Sequence, residues 1–133
     1  MWIVPASRMK ANREHRVPLS EPALEVLREC RARWPDSEHV FPGRHQTGPL
    51  SNMALLMLMR RLGRKEVPHG LRSSFRDWAA DNRKDRHLAE AALAHSLPNK
   101  TEAAYRRSDL LEARAIFMEE WSPFATGSHH DSS

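Results

Sequence analysis

Short runs of β-branched and aromatic residues open the chain, and the later apolar residues recur every three or four positions. The opening pattern predicts two strands, residues 2–4 and 15–19, joined by polar residues 9–14 into a β-hairpin with Lys10 near its tip. The later spacing predicts helices over residues 21–34, 51–62, 69–81 and 85–95, a two-turn helix around Tyr105, and a last helix after Asp109. A further short strand is predicted at residues 39–41.

The first two predicted helices differ in their apolar faces. Ser20 is a favourable N-cap for the first, whose apolar stripe comprises Leu24, Leu27, Cys30 and Trp34. The second, capped by Ser51, is apolar on every side over residues 53–59, which is typical of a buried helix. Its methionines are interpreted as packing residues rather than as a ligand set, because methionine fills irregular gaps.

The later helices carry both the predicted core and the candidate chemistry. Within residues 69–81, Leu71, Phe75 and Trp78 share one side, and His69, Arg72 and Arg76 share another, which is predicted to face outward. Asn99 and Glu102 form a capping box ahead of Tyr105. The last helix is predicted to bury a stripe of Leu110, Ala113, Phe117 and Trp121.

These elements predict a mainly α fold with a small antiparallel β-sheet at its N-terminal edge, an α+β class. At 133 residues the chain is expected to form one domain over residues 1–126, followed by a disordered tail at 127–133. The sequence has no apolar run approaching the roughly 20 residues of a membrane-spanning helix, so no membrane association is predicted. The protein is expected to be cytoplasmic.

Cysteine and histidine usage restricts the possible sites. The single cysteine, Cys30, excludes an internal disulfide and a thiolate zinc site. The eight histidines show no His-Glu-x-x-His arrangement, and therefore no metal and no other cofactor is predicted.

The formal charge is +4, and the basic residues cluster at two places. One cluster lies in the hairpin, and the other surrounds the start of the third helix. The two clusters comprise Arg8, Lys10, Arg13 and Arg16, and Arg60, Arg61, Arg64, Lys65, Arg72 and Arg76. Phosphate contacts supply most non-specific nucleic-acid affinity, so this clustering indicates a polyanionic partner. A solvated basic surface remains the alternative.

Two histidines, an arginine and the only tyrosine form a candidate set for phosphodiester chemistry. The guanidinium of Arg72 matches phosphate oxygens, and the neutral imidazoles of His69 and His95 each donate one hydrogen bond. Tyr105 is then the candidate nucleophile. Each residue also has a structural interpretation: His69 and Arg72 as a surface pair, His95 as a core histidine on an apolar stripe, Tyr105 as a half-buried aromatic, and Lys10 as an ordinary turn residue.

The order of these residues resembles the catalytic domain of the tyrosine recombinases, and within it the prophage and genomic-island integrases. The segments that carry this resemblance are Arg8-Met9-Lys10, His15-Arg16-Val17-Pro18-Leu19-Ser20, Val40-Phe41-Pro42, His69-Gly70-Leu71-Arg72, Leu93-Ala94-His95 and Ala104-Tyr105-Arg106-Arg107-Ser108-Asp109. The resemblance covers nearly everything from Trp2 to about Trp121. The resemblance implies part of a DNA breaking-rejoining catalytic domain, acting on double-stranded DNA in the bacterial cytoplasm at the nucleoid.

The resemblance also implies roles. Tyr105 would attack a DNA phosphate and form a 3′-phosphotyrosyl link, without a metal. Arg72 and His95 would hold the non-bridging oxygens, His69 would assist proton transfer, and Lys10 would protonate the leaving 5′-oxygen. Further DNA contacts are expected from Arg8, Arg13, Arg60, Arg61, Arg64, Lys65, Arg76, Arg106 and Arg107.

One departure from the family pattern concerns an additional arginine, expected upstream in a Thr-Gly-x-Arg-x-x-Glu context that this sequence lacks. The chain is therefore expected to be a C-terminal fragment with weak or no activity alone. The alternatives are a non-catalytic DNA-binding or regulatory module with the same fold, and a histidine-based metallohydrolase. The last helix is expected either to dock on a neighbouring protomer, giving a homo-oligomer, or to pack on its own domain.

Overall fold

The computed structural model describes residues 1–46, 48–95 and 110–127. They form two compact units: the first joins Met1–Glu21 to the described residues from Phe75 onward, and the second is Pro22–Ser74. The elements are strands β1 (Trp2–Val4) and β2 (His15–Val17), and helices α1 (Glu21–Arg33), α2 (Ala54–Arg61), α3 (Gly70–Asp81), α4 (Arg86–Ala92) and α5 (Leu111–Thr126). This confirms the predicted mainly helical fold with a small N-terminal sheet.

The N-terminal hairpin is antiparallel, with Trp2 opposite Val17 and Val4 opposite His15. A short 3-10 turn at Ala6–Arg8 leads from β1 into the connection. Strand β2 ends at Val17, two residues earlier than predicted. The following Pro18 explains the early end, because proline has no N–H to donate to the sheet.

The core of the first unit is aromatic. Phe75 and Trp78 of α3 pack against Phe117 of α5, with ring centroids 5.3 and 5.5 Å from that of Phe117. Trp121 adds edge contacts to both α3 rings. The predicted apolar side of α3 is thus confirmed at Phe75 and Trp78, but it is wrong at Leu71, which is 62% exposed. Periodicity identifies the side of a helix that faces a core, not how far along the helix the core extends.

Helix α5 confirms its predicted stripe in part: Phe117 is buried and Trp121 packs against the core, but other buried residues lie outside that stripe. Phe117 is 1% exposed as expected, but the other buried residues are Arg114 and Ser122, whereas Ala113 is exposed. The helix also continues through Pro123 to Thr126. Proline removes only one backbone donor, and Thr126 Oγ1 donates to the carbonyl of Ser122, 3.0 Å away, in this last turn.

Polar contacts tie α5 to the N-terminal segment within the first unit. The buried Arg114 guanidinium donates to the carbonyl of Arg16 on β2. Farther along α5, Ser122 Oγ donates to Ser20 Oγ at 3.2 Å, and both serines are buried. The last helix therefore anchors the hairpin, and its aromatic side chains pack against residues of its own unit.

In the second unit, neither α1 nor α2 contains a fully buried residue. The half-buried Leu24, Leu27 and Cys30 of α1 confirm its predicted apolar face. Residues 39–41, predicted as a strand, are bends instead, followed by a single bridge between Pro42 and Pro49. Neither proline can donate a backbone hydrogen bond, so the bridge does not extend into a ladder.

The prediction that α2 is a buried helix is wrong. None of its residues is buried, and its most exposed apolar side chains are Leu55 at 55%, Met57 at 51% and Leu58 at 44%. The helix begins at Ala54 rather than next to Ser51, whose hydroxyl instead accepts from the N–H of Met53 at 3.2 Å. An all-apolar pattern indicates that burial of the helix would be favourable, but it does not identify an element that packs against the helix.

Helices α2, α3 and α4 end with the same arrangement, in which a left-handed residue reverses the chain. The left-handed residues are Gly63, Arg83 and Ala94, with φ of 71°, 52° and 57°. After α4, the N–H of Ala94 donates to the carbonyl of Ala91, and that of His95 to the carbonyl of Glu90. These two bonds form a Schellman motif. The helix thus stops at Ala92, three residues before the predicted end.

No helix within the described residues is long and apolar enough to span a membrane. The predicted helix around Tyr105, its capping box at Asn99 and Glu102, and all but the first residue of the predicted tail at 127–133 lie outside the described residues. The domain limits 1–126 and 127–133 stay a prediction.

Candidate functional site

His69 and Arg72 are placed by a compact turn in the second unit. Ahead of it, the Arg60 guanidinium donates to the carbonyls of Arg64 and Glu66 at 2.7 and 3.2 Å, which holds the segment that leaves α2. The N–H of Arg72 then donates to the carbonyl of His69 at 3.1 Å, in the first turn of α3. Both side chains are exposed, as predicted for the basic side of this helix.

Lys10 lies in the first unit, in the connection between β1 and β2. The N–H of Asn12 donates to the carbonyl of Met9 at 2.9 Å, and Asn12 has a left-handed φ of 49°, so the chain turns sharply around Lys10. The lysine side chain is exposed. This position at the turn of the hairpin is the one expected from the sequence.

His95 is not the core histidine that one interpretation of the sequence allowed. That interpretation required α4 to continue to His95, whereas the helix ends at Ala92 and the His95 side chain is 37% exposed. Its Nδ1 lies 2.5 Å from Glu90 Oε2. The other carboxylate oxygen, Oε1, lies 3.2 Å from a guanidinium nitrogen of Arg76. Glu90 therefore links a predicted catalytic histidine to a predicted DNA-binding arginine.

Sequence reasoning missed Glu90. It occurs on an alanine-rich helix and has the appearance of an ordinary solvated glutamate, yet its side chain is only 10% exposed. Its partner His95 is five positions away, which is not a helical contact spacing. The two side chains meet only because Ala94 reverses the chain, and no residue in the sequence signals that reversal.

The basic residues assigned to DNA binding are exposed wherever the structure describes them. They are Arg8, Arg13, Arg60, Arg61, Arg64, Lys65 and Arg76. Arg60 and Arg76 also have the intramolecular partners described above. Arg106 and Arg107 lie outside the described residues, as does Tyr105.

The structure thus brings together Arg76, Glu90 and His95 in the first unit, and His69 and Arg72 at one end of α3 in the second. The gathering of Lys10, both histidines, Arg72 and Tyr105 around one phosphate stays a prediction. In the described ranges, no three histidine, cysteine or acidic side chains are close enough to hold a metal ion.

Comparisons with known proteins agree with the resemblance to the integrases. The model of the phage integrase family matches residues 1–111. The chain is 38% identical over 124 residues to prophage integrase IntA of Escherichia coli K12, covering 91% of this chain and 30% of the relative. It is 36% identical over 124 residues to prophage integrase IntZ of the same strain, with 90% and 30% covered.

A third relative is the integrase of Shigella phage Sf6, 30% identical over 129 residues, with 90% of this chain and 32% of the relative covered. The chain thus spans about a third of the length of these relatives. No solved structure matches it significantly. Because the family model covers most of its length, this chain belongs to the phage integrase family.

Proposed function

We propose that the chain contributes to site-specific DNA strand transfer as part of an integrase catalytic domain, with Tyr105 as nucleophile and with weak or no activity on its own. The observation that carries this proposal is the extent of the family match. It spans residues 1–111 and therefore includes Lys10, His69, Arg72, His95 and Tyr105.

The reaction and the residue roles are those that the resemblance to the tyrosine recombinases implies, and the chemistry of the side chains is consistent with them. The Tyr105 oxygen attacks the phosphorus, the bond from phosphorus to the 5′-oxygen breaks, and the 3′-phosphate stays attached to the tyrosine. Arg72 stabilises the negative charge on the non-bridging oxygens, because fixed donors aimed at such charge make a large catalytic contribution. Lys10 gives the leaving 5′-oxygen a proton, and His69 assists removal of the phenol proton. Attack by a second 5′-hydroxyl reverses the steps and reseals the strand.

The exposure of the described basic residues supports double-stranded DNA as the partner. The side chains of Arg61, Arg64 and Lys65 are exposed in the segment that leads to His69. A row of cations there would follow the phosphate backbone and position the strand, without reading its sequence. Such an interface would make binding strongly salt-dependent.

A trapped covalent adduct tests the proposal. In a hybrid protein, this chain replaces the matching segment of prophage integrase IntA, and the hybrid is incubated with a nicked duplex carrying the recombination site of that integrase. The nick lies just 3′ of the cleavage site, so cleavage releases a short fragment that carries the leaving 5′-hydroxyl. This fragment diffuses away, resealing is prevented and the adduct accumulates. We expect a DNA–protein adduct that maps to Tyr105 and disappears in Tyr105→Phe, which keeps the ring and removes only the nucleophilic oxygen.

Tyr105→Phe must bind the duplex as well as the parent hybrid, which controls for folding. An adduct that persists in Tyr105→Phe would refute the assignment of the nucleophile. Salt-dependent binding by the parent hybrid with no adduct would instead favour the non-catalytic DNA-binding module.

A further inference from the structure

Among the residues that the structure describes, Glu90 is the only buried acidic residue. Its side chain is 10% exposed, and its two oxygens contact different partners, His95 Nδ1 at 2.5 Å and Arg76 at 3.2 Å. A buried carboxylate is costly unless donors satisfy it. Because each oxygen has its own donor, the orientation of the carboxylate is fixed from both sides.

The backbone fixes His95 to the same residue. Asp85 caps α4 by accepting from the N–H of Leu88 at 3.0 Å, so the helix that carries Glu90 has a defined start. At its end, the reversal at Ala94 brings the N–H of His95 to the carbonyl of Glu90 at 2.9 Å. His95 therefore contacts Glu90 through its backbone and through its ring.

A carboxylate at Nδ1 determines what the other ring nitrogen does. An ionised carboxylate only accepts hydrogen bonds, so Nδ1 must carry the proton. In the neutral ring the lone pair then lies on Nε2, and Nε2 donates only when both nitrogens are protonated. We propose that Glu90 is a positioning residue that keeps Nδ1 of His95 protonated, so that Nε2 faces the DNA phosphate and donates to it when the ring carries both protons. The catalytic part of this inference rests on the proposed function.

Arg76 determines which group of residue 90 faces His95. An arginine has donors and no acceptor, so it always occupies an acceptor oxygen of residue 90. In Glu90→Gln the single amide oxygen is claimed by Arg76, and the amide NH₂ is left facing His95. Nδ1 must then accept a hydrogen bond, and the proton moves to Nε2. The substitution therefore reverses the tautomer while it preserves side-chain size.

Nuclear magnetic resonance of the whole 133-residue chain tests this directly. In ¹⁵N-labelled protein at alkaline pH, long-range ¹H–¹⁵N spectra distinguish protonated from unprotonated ring nitrogens, and His95→Gln identifies the His95 signals. We expect a protonated Nδ1 in the wild type and a protonated Nε2 in Glu90→Gln. A wild-type ring that is protonated mainly at Nε2 overturns the inference without any variant.

Two further variants separate positioning from general damage. Glu120→Gln removes a carboxylate that pairs with Lys84 at 2.8 Å elsewhere in the first unit, and should leave the His95 tautomer unchanged. Arg76→Gln removes the guanidinium that pairs with Glu90 Oε1 but keeps the Glu90 carboxylate, so the Nδ1–H tautomer should persist. Loss of that tautomer in Arg76→Gln to the same extent as in Glu90→Gln would overturn the specific role of Glu90.

The catalytic part is tested in the hybrid protein by the rate of adduct formation. In Glu90→Gln the neutral amide no longer supports the doubly protonated ring that donates to the phosphate with a full charge. By analogy with the outer-shell partners of metal-bound histidines, which contribute about 10- to 100-fold, we expect a loss of that size with unchanged DNA affinity. An unchanged rate beside an active wild type would overturn the inference and leave the proposed function intact. An inactive wild type with the expected tautomers would refute the proposed function and retain the positioning role.

Discussion

Truncation of Phe117 should remove much of the stability of the first unit. This side chain is 1% exposed and packs against Phe75 and Trp78, at centroid distances of 5.3 and 5.5 Å. Phe→Ala changes in well-packed cores cost about 3–5 kcal/mol. Each aromatic pair contributes about 0.5–1.5 kcal/mol beyond its buried area, so the two pairs account for about 1–3 kcal/mol of that loss. Phe117→Leu keeps most of the apolar volume and should lose only about that smaller amount.

Urea unfolding followed by tryptophan fluorescence measures these losses, because Trp78 and Trp121 lie in the same cluster as Phe117. The neighbouring Ile116 is 66% exposed, and Ile116→Ala should change the free energy of unfolding by no more than about 0.5 kcal/mol. Equal losses for Ile116→Ala and Phe117→Ala would refute the reasoning, because α5 would then bury a different side.

Three other changes have defined outcomes. Ala94→Gly relieves a left-handed φ of 57°, worth about 1–2 kcal/mol, against about 0.4–1 kcal/mol of added chain entropy. The free energy of unfolding should therefore rise by up to about 1.6 kcal/mol, and a fall in the urea titration would contradict the strain. Lys10→Ala should slow adduct formation by about 10²- to 10⁴-fold on ordinary DNA. It should not slow the reaction on DNA in which sulfur replaces the bridging 5′-oxygen, because a thiolate leaves without a proton. Equal slowing on both substrates would exclude Lys10 as the proton donor. Arg61→Ala should reduce the magnitude of the slope of log affinity against log salt concentration by about 1. Arg60→Ala should have the same effect and should also lower the free energy of unfolding by about 0.5–1.5 kcal/mol, because the Arg60 guanidinium donates to the carbonyls of Arg64 and Glu66.

Local patterns predicted the parts of the fold that depend on neighbouring residues. The hairpin, the existence of the helices and the burial of Phe75 and Trp78 follow from residue types and spacings within a few positions. The end of α4 did not follow, because the nearest strong stop signal is Pro98, whereas the chain reverses at an alanine. That error of three residues was enough to misplace His95 on an apolar stripe.

Features that depend on distant residues were not visible in the sequence. Arg114 was not predicted to be buried, because its partner, the carbonyl of Arg16, lies 98 positions away and any residue could supply it. The exposure of α2 was also missed. Its apolar composition favours burial, but the sequence does not show which other element would pack against it. For the candidate site, the sequence identified His95 and Arg76 but not Glu90, the residue that connects them.

The join between the two ends of the first unit has a consequence for biosynthesis. Arg16 and Ser20 reach their partners on α5 across 98 and 102 positions, so closing that loop costs about 4 kcal/mol beyond a constant term. A ribosome releases the hairpin long before α5 has been made, and domains fold only once their parts have emerged. A nascent chain that stops before Arg114 would thus carry Lys10 on an unanchored hairpin, and the first unit would close only after α5 has been made.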